Sequence, residues 1–190
     1  LVGAMVPAFG ADVPHVTPGM RDPDYWILHQ PSPDRVVMTA AEVVAFNREL
    51  HAQGLTEDLS LVPSVLSGLQ VRAGIEDLYR VIHGRKLFRD DGFVADAAAH
   101  AFWVTRMALG RLAKPVRVRY GFTVAFTNAR ILPTDEPLYE SPGDVEFDQV
   151  QNSGLDPATP VVVLHESMDG KWLFIKDGNA SGWVKRGNIA

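Results

Sequence analysis

The histidines and carboxylates come first, because with them a chain lacking cysteine could do chemistry. His165-Glu166 opens like a zinc-binding His-Glu-x-x-His motif. The residue four places after His165 is Asp169, however, so the second imidazole is missing. The six histidines (His15, His29, His51, His83, His100, His165) fall at no metal-ligand spacing, and His51, His83 and His100 are read onto helix surfaces or edges. No Gly-x-Ser-x-Gly elbow, glycine-rich phosphate loop or dinucleotide fingerprint occurs. Without cysteine there is no thiolate nucleophile, no thiolate metal site and no disulfide. The sequence therefore predicts no catalytic residue, no metal and no cofactor within these 190 residues.

Composition narrows the alternatives. At 46% hydrophobic content the chain can bury a core and hold one or two domains. A net charge of −5 argues against nucleic acid as a partner, since phosphate binding needs a basic face. No run is long enough for a transmembrane span. The opening Leu1-Val2-Gly3-Ala4-Met5-Val6-Pro7-Ala8-Phe9-Gly10-Ala11 is apolar and rich in small residues. It reads either as the end of a secretory segment cleaved near Ala8–Ala11 or as an apolar terminus, and residues 1–20 are assigned as a signal-peptide remnant or leader. Export to the periplasm or cell envelope is the favoured reading.

Residues 21–114 carry helical signals. Thr39-Ala40-Ala41-Glu42 is a capping box, and the helix it opens should stop near Gly54. A second helix is expected over 74–84, with Ile75, Leu78, Tyr79 and Ile82 on one side, and a third over 95–112, rich in Ala and carrying Phe102 and Trp103. Those apolar helices must bury against something: the remainder of this chain, or a domain not in it.

Pro115 marks a change of register. Val116, Val118 and Tyr120 alternate with Arg117 and Arg119, the period of a half-buried strand. Two apolar runs, Pro160–His165 and Lys171–Lys176, flank Glu166-Ser167-Met168-Asp169-Gly170, where Asp-Gly signals a hairpin turn. Gly182-Trp183-Val184 supplies a closing strand, with Trp183 in the core. The order Val118-Arg119-Tyr120-Gly121-Phe122, Asn128–Thr134, Phe147-Asp148-Gln149-Val150-Gln151, Thr159–Phe174 and Gly182-Trp183-Val184 resembles the first SH3b barrel of multidomain NlpC/P60 cell-wall hydrolases. The upstream helices, with Tyr25-Trp26-Ile27 and Phe46-Asn47, resemble the N-terminal stabilising segment of the same enzymes.

The resemblance implies an α+β fold, a helical N-terminal region (21–114) packed on a small SH3-like barrel (115–190). It implies a non-catalytic targeting and stabilising part of an exported peptidoglycan hydrolase. In such enzymes a separate domain supplies a cysteine activated by histidine and cuts peptide stems. That NlpC/P60 domain would act in cis, and this chain has no cysteine to stand for it. The partner would be the peptidoglycan stem peptide. The alternative is a stand-alone periplasmic scaffold that binds a peptide or protein and has no hydrolase partner.

Candidate ligand-binding residues follow from the barrel. Such barrels use aromatics to build a shallow groove, because a flat ring gives contact area at low entropy cost. Tyr139 and Trp172 are the aromatic candidates, with Trp172 divided between core and groove. The acidic stretch 135–148 occupies the long first loop, where Glu140 and Asp144 could receive the free amine of a stem peptide. Arg130 and Asp148 belong to the motif and are read as a structural bridge pinning that loop to a strand.

Overall fold

The computed structural model describes residues 14–190, so the apolar segment 1–11 lies outside the described residues. The chain divides between Phe46 and Asn47 into two compact units. In the first, Asp22 caps α1 (Pro23–Leu28) by accepting from the Asp24 amide at 3.0 Å, and the Trp26 indole donates to the Met20 carbonyl at 2.8 Å. Helix α2 (Ala40–Ala52) opens on the expected capping box. The Glu42 carboxylate accepts from the Thr39 amide at 2.7 Å while the Glu42 amide donates back to the Thr39 hydroxyl at 3.3 Å. The division falls inside this helix.

The second unit is a six-stranded antiparallel barrel with two helices laid on its outside. In order come β1 (Val65–Leu66), α3 (Gly68–Arg80), α4 (Ala97–Arg106), β2 (Val116–Arg117), β3 (Arg119–Phe122), β4 (Thr127–Arg130), β5 (Gln151–Leu155), β6 (Pro160–Glu166), β7 (Trp172–Lys176) and β8 (Ser181–Lys185). The barrel runs β3-β6-β7-β8-β4-β5, and β1 pairs separately with β2.

Period two explains how one short barrel serves two cores. Val161 and Val163 of β6, Leu173 and Ile175 of β7 and Val184 of β8 point inward with Ala129 and Leu155. Their neighbours Val162, Leu164, Trp172, Phe174 and Trp183 point outward. There they meet the buried faces of the helices, Val71, Ile75, Trp103 and Met107. Both faces are covered, which is why these strands read as nearly continuous apolar runs. Burying each such side chain contributes roughly 1.5–3 kcal/mol. The helices therefore clamp the barrel of this same chain, and the fold is α+β with helices packed on the barrel. Phe102 does not join them: it is exposed, with the Arg106 guanidinium 5.5 Å from its ring centroid.

Three elements depart from the sequence expectation. Helix α3 begins at Gly68, not Gly74, because the Gln70 side chain accepts from the Ser67 amide at 3.2 Å and starts the helix a turn and a half earlier. The helix expected over 95–112 is broken at Ala108, which is left-handed (φ 52°), into α4 and a 3-10 turn, Leu109–Ala113. The barrel hairpin enforces the break: the Met168 amide donates to the Arg106 carbonyl at 2.8 Å, and His165 Nε2 lies 2.9 Å from the Met107 carbonyl. Carbonyls that a continuing helix would use are taken by the barrel. Finally, the single strand expected from Val116 to Tyr120 is two. The chain changes partners at Val118, whose amide donates to the Ser64 carbonyl, and the ring of Tyr120 is left exposed with its hydroxyl on the Val62 carbonyl at 2.9 Å.

Candidate functional site

A cleft of about 790 Å³ opens where residues 54–63 lie across the β7–β8 hairpin. The Asp177 carboxylate builds that hairpin's turn by accepting from the amides of Asn179 and Ala180 at 2.7 and 2.5 Å. The crossing segment is strapped down by the Glu57 amide, which donates to the Gly178 carbonyl at 2.7 Å, and by an ion pair between Glu57 and Lys176. The floor is the outer face of the barrel, Val162, Leu164 and Phe174, and α3 closes one side with Gln70 and Val71.

The charges of this cleft are unequal. Three carboxylates, Glu57, Asp58 and Asp177, line it against one ammonium, Lys176. Asp58 is held below the usual carboxylate range by hydrogen bonds from the Ser60 hydroxyl and amide, so it is ionised at neutral pH. His51, on the rim, has its Nδ1 2.7 Å from the Thr56 hydroxyl. An apolar floor under surplus carboxylate suits a ligand that carries an amine on an aliphatic body.

None of the six residues singled out from the sequence lines this cleft. Tyr139 and Glu140 go together. Tyr139 is buried and exchanges both main-chain hydrogen bonds with Phe88 at 2.8 Å, and Glu140 takes the Arg85 guanidinium at 2.5 Å. Asp144 stays exposed and accepts from the Glu146 amide at 3.2 Å. Trp172 is 4% exposed, on the helix-facing side of β7, with the Lys185 ammonium 6.0 Å from its ring centroid. Arg130 Nη1, at the end of β4, lies 2.8 Å from Asp148 Oδ2 in the loop that joins β4 to β5. The cleft residues had one local signal, Asp177-Gly178, which marks a turn. Nothing local could show that a segment more than a hundred residues upstream would cross it.

Residues 137–185 match the family model of the SH3 domain (SH3b1 type). Residues 137–185 of the barrel are an SH3b domain. That match begins in the acidic loop, at Pro137, and ends with β8, so it takes in Asp148 and the β7 side of the cleft. An NlpC/P60 endopeptidase from Photobacterium damselae subsp. piscicida shares the fold at a TM-score of 0.61 and 21% identity. The alignment covers 83% of this chain and 38% of that one, so the chain spans well under half of the endopeptidase's length. The likeness reaches beyond the SH3b domain into the helices laid on it. No curated protein matches the sequence. Among the described residues no helix is long and apolar enough to cross a membrane.

Proposed function

We propose that this chain is the non-catalytic targeting and stabilising part of an exported NlpC/P60-type peptidoglycan hydrolase. On this reading residues 21–114 form the stabilising region and 115–190 the SH3b domain, which helps to bind or position the stem peptide. A cysteine catalytic domain would act in cis. The observation that carries the proposal is the surplus of carboxylate over an apolar floor on the outer face of the SH3b domain. A stem peptide offers the complement, a free amine on a short aliphatic chain. The match to the SH3b1 model and the shared fold of an endopeptidase support the same reading.

The experiment is co-sedimentation of the chain with purified sacculi in the presence of free stem peptide. The expected result is retention that the free peptide competes away and that its N-acetylated form does not. Equal competition by both forms would reject the amine site. Loss of all sacculus affinity, with retention of a protein partner, would replace the proposal with a stand-alone scaffold.

A further inference from the structure

A second cleft, of about 650 Å³, lies between the end of α3, the turn that follows it and the first turns of α4. Its composition is the opposite of the first. No carboxylate among the described residues lines it, although the chain as a whole is acidic. Tyr79, His83, Arg85, Lys86 and His100 supply its polar side, and Ala97, Ala101 and Val104 of α4 form an apolar wall.

The cations are not equivalent. Arg85 is engaged by Glu140 at 2.5 Å, whereas Lys86 forms no ion pair among the described residues, and its ammonium lies 5.3 Å from the Phe88 ring centroid. Tyr79 and His100 form a closed pair, hydroxyl to Nδ1 at 2.9 Å. If the hydroxyl donates to Nδ1, the neutral imidazole carries its proton on Nε2; if Nδ1 donates, the hydroxyl proton is free. Either way one donor is left over with no hydrogen-bond acceptor among the described residues and is open to solvent, while the His100 ring stands edge-on to Trp103 at 5.4 Å. Burial lowers the His100 pKa and raises that of Tyr79, so both stay neutral at neutral pH and the count holds. His83 stands edge-on to Tyr79, with ring centroids 5.2 Å apart.

We propose that this cleft binds a small aliphatic carboxylate. Lys86 meets its charge, the spare donor of the Tyr79–His100 pair meets one oxygen, and its carbon body lies on Ala97, Ala101 and Val104. The site is separate from the first cleft, and it stands or falls independently of the peptidoglycan reading.

Isobutyrate and its neutral isostere isobutyramide are the probes, titrated into the ¹⁵N-labelled full chain while backbone amide shifts are followed. A ligand of this size with one charged contact is expected to bind in roughly the millimolar range. The expected result is saturable isobutyrate shifts confined to residues 79–86 and 97–104. Isobutyramide should bind at least about fivefold more weakly, since a charge-assisted hydrogen bond is lost. Lys86→Ala, an exposed substitution that leaves the core untouched, should weaken isobutyrate by about threefold or more. Equal binding of the two probes, an unchanged affinity in Lys86→Ala, or no saturable shift at all would overturn the proposal.

Discussion

Asp148 divides its two oxygens between Arg130 and the backbone of the loop they share. Oδ2 lies 2.8 Å from Arg130 Nη1, while Oδ1 accepts from the amides of Leu138 and Val150 at 3.1 and 2.9 Å. Arg130, itself 6% exposed, adds a hydrogen bond from Nη2 to the Glu136 carbonyl at 3.0 Å. One ion pair thus fixes both ends of the long β4–β5 loop. Removing either partner leaves a charge with little solvent, so Arg130→Ala is expected to cost about 3 kcal/mol or more. In an Asp148→Ala background the same substitution should cost about 2 kcal/mol less. Urea unfolding of the four proteins measures this, and effects that simply add would show that the pair does not act as a unit.

Asp169 ties the β6–β7 turn to α4. Burial opposes its ionisation, but the Ser167 hydroxyl, the Lys171 amide and the Arg106 guanidinium (2.7 Å) outweigh it and hold the carboxyl at about 2. An unfolded aspartate titrates near 3.9, so folding favours the ionised form. The stability this gives is complete above about pH 4 and fades as pH falls through about 2. Asp169→Asn is therefore expected to cost about 1 kcal/mol at neutral pH, as for a part-exposed pair. It should also flatten the acid limb of the stability curve between pH 4 and 2. Thermal unfolding across that range decides it, and a parallel curve for the variant would refute the assignment.

Two glycines on α3 predict opposite signs for one substitution. A Cβ on Gly68 would collide with the carbonyl oxygens of Leu112 and Lys114, closer than real Cβ atoms approach, and backbone cannot swing aside as a side chain can. A Cβ on Gly74 would meet nothing within 4 Å. Gly68→Ala should destabilise by about 3 kcal/mol or more. Gly74→Ala should stabilise by roughly 0.5–1 kcal/mol through helix propensity. Chemical denaturation of both reads the difference, and like signs would mean that α3 does not pack on the 109–114 turn as described.

Among the described residues Lys176 is the only ammonium opposing the carboxylates of the first cleft, and its pair with Glu57 is substantially exposed. Lys176→Ala should cost under about 1 kcal/mol of stability. It should also raise affinity for an amine-bearing stem peptide by roughly threefold at low salt, with the gain shrinking as salt rises. Calorimetric titration at two ionic strengths tests both parts. Weaker binding in the variant would place the ligand against Lys176 itself and not against the carboxylates.

Local chemistry was legible in the sequence where a residue and its partner lie within one turn. The Thr39–Glu42 box and the Asp169-Gly170 turn (Gly170 φ +69°) belong to this kind; the burial of Trp183 was expected as well, but its cover comes from helices far upstream. The break at Ala108 was not legible, since alanine is a helix former and the cause is a hairpin some sixty residues downstream that takes the carbonyls of Arg106 and Met107. The face of Trp172 was undecided from its neighbours because β7 is buried on both sides, which erases the alternation that would have told them apart. The first cleft escaped for a similar reason: its carboxylates come from segments that only the folded chain brings together.

The strand order also sets a timetable. β6, β7 and β8 are a meander whose partners are next along the chain, so their pairing closes only short loops. β3 has to wait for β6, with β4, the long loop and β5 all lying between them. Proteins built on such distant pairings fold slowly. The expected transition state has the meander formed and β3 loose, with high φ-values at Phe174 and Val184 and low ones across Arg119–Phe122. During synthesis β3 emerges before its partner exists. Until β6 follows, Tyr120 and Phe122 sit on an unpaired strand, an edge that a chaperone could hold.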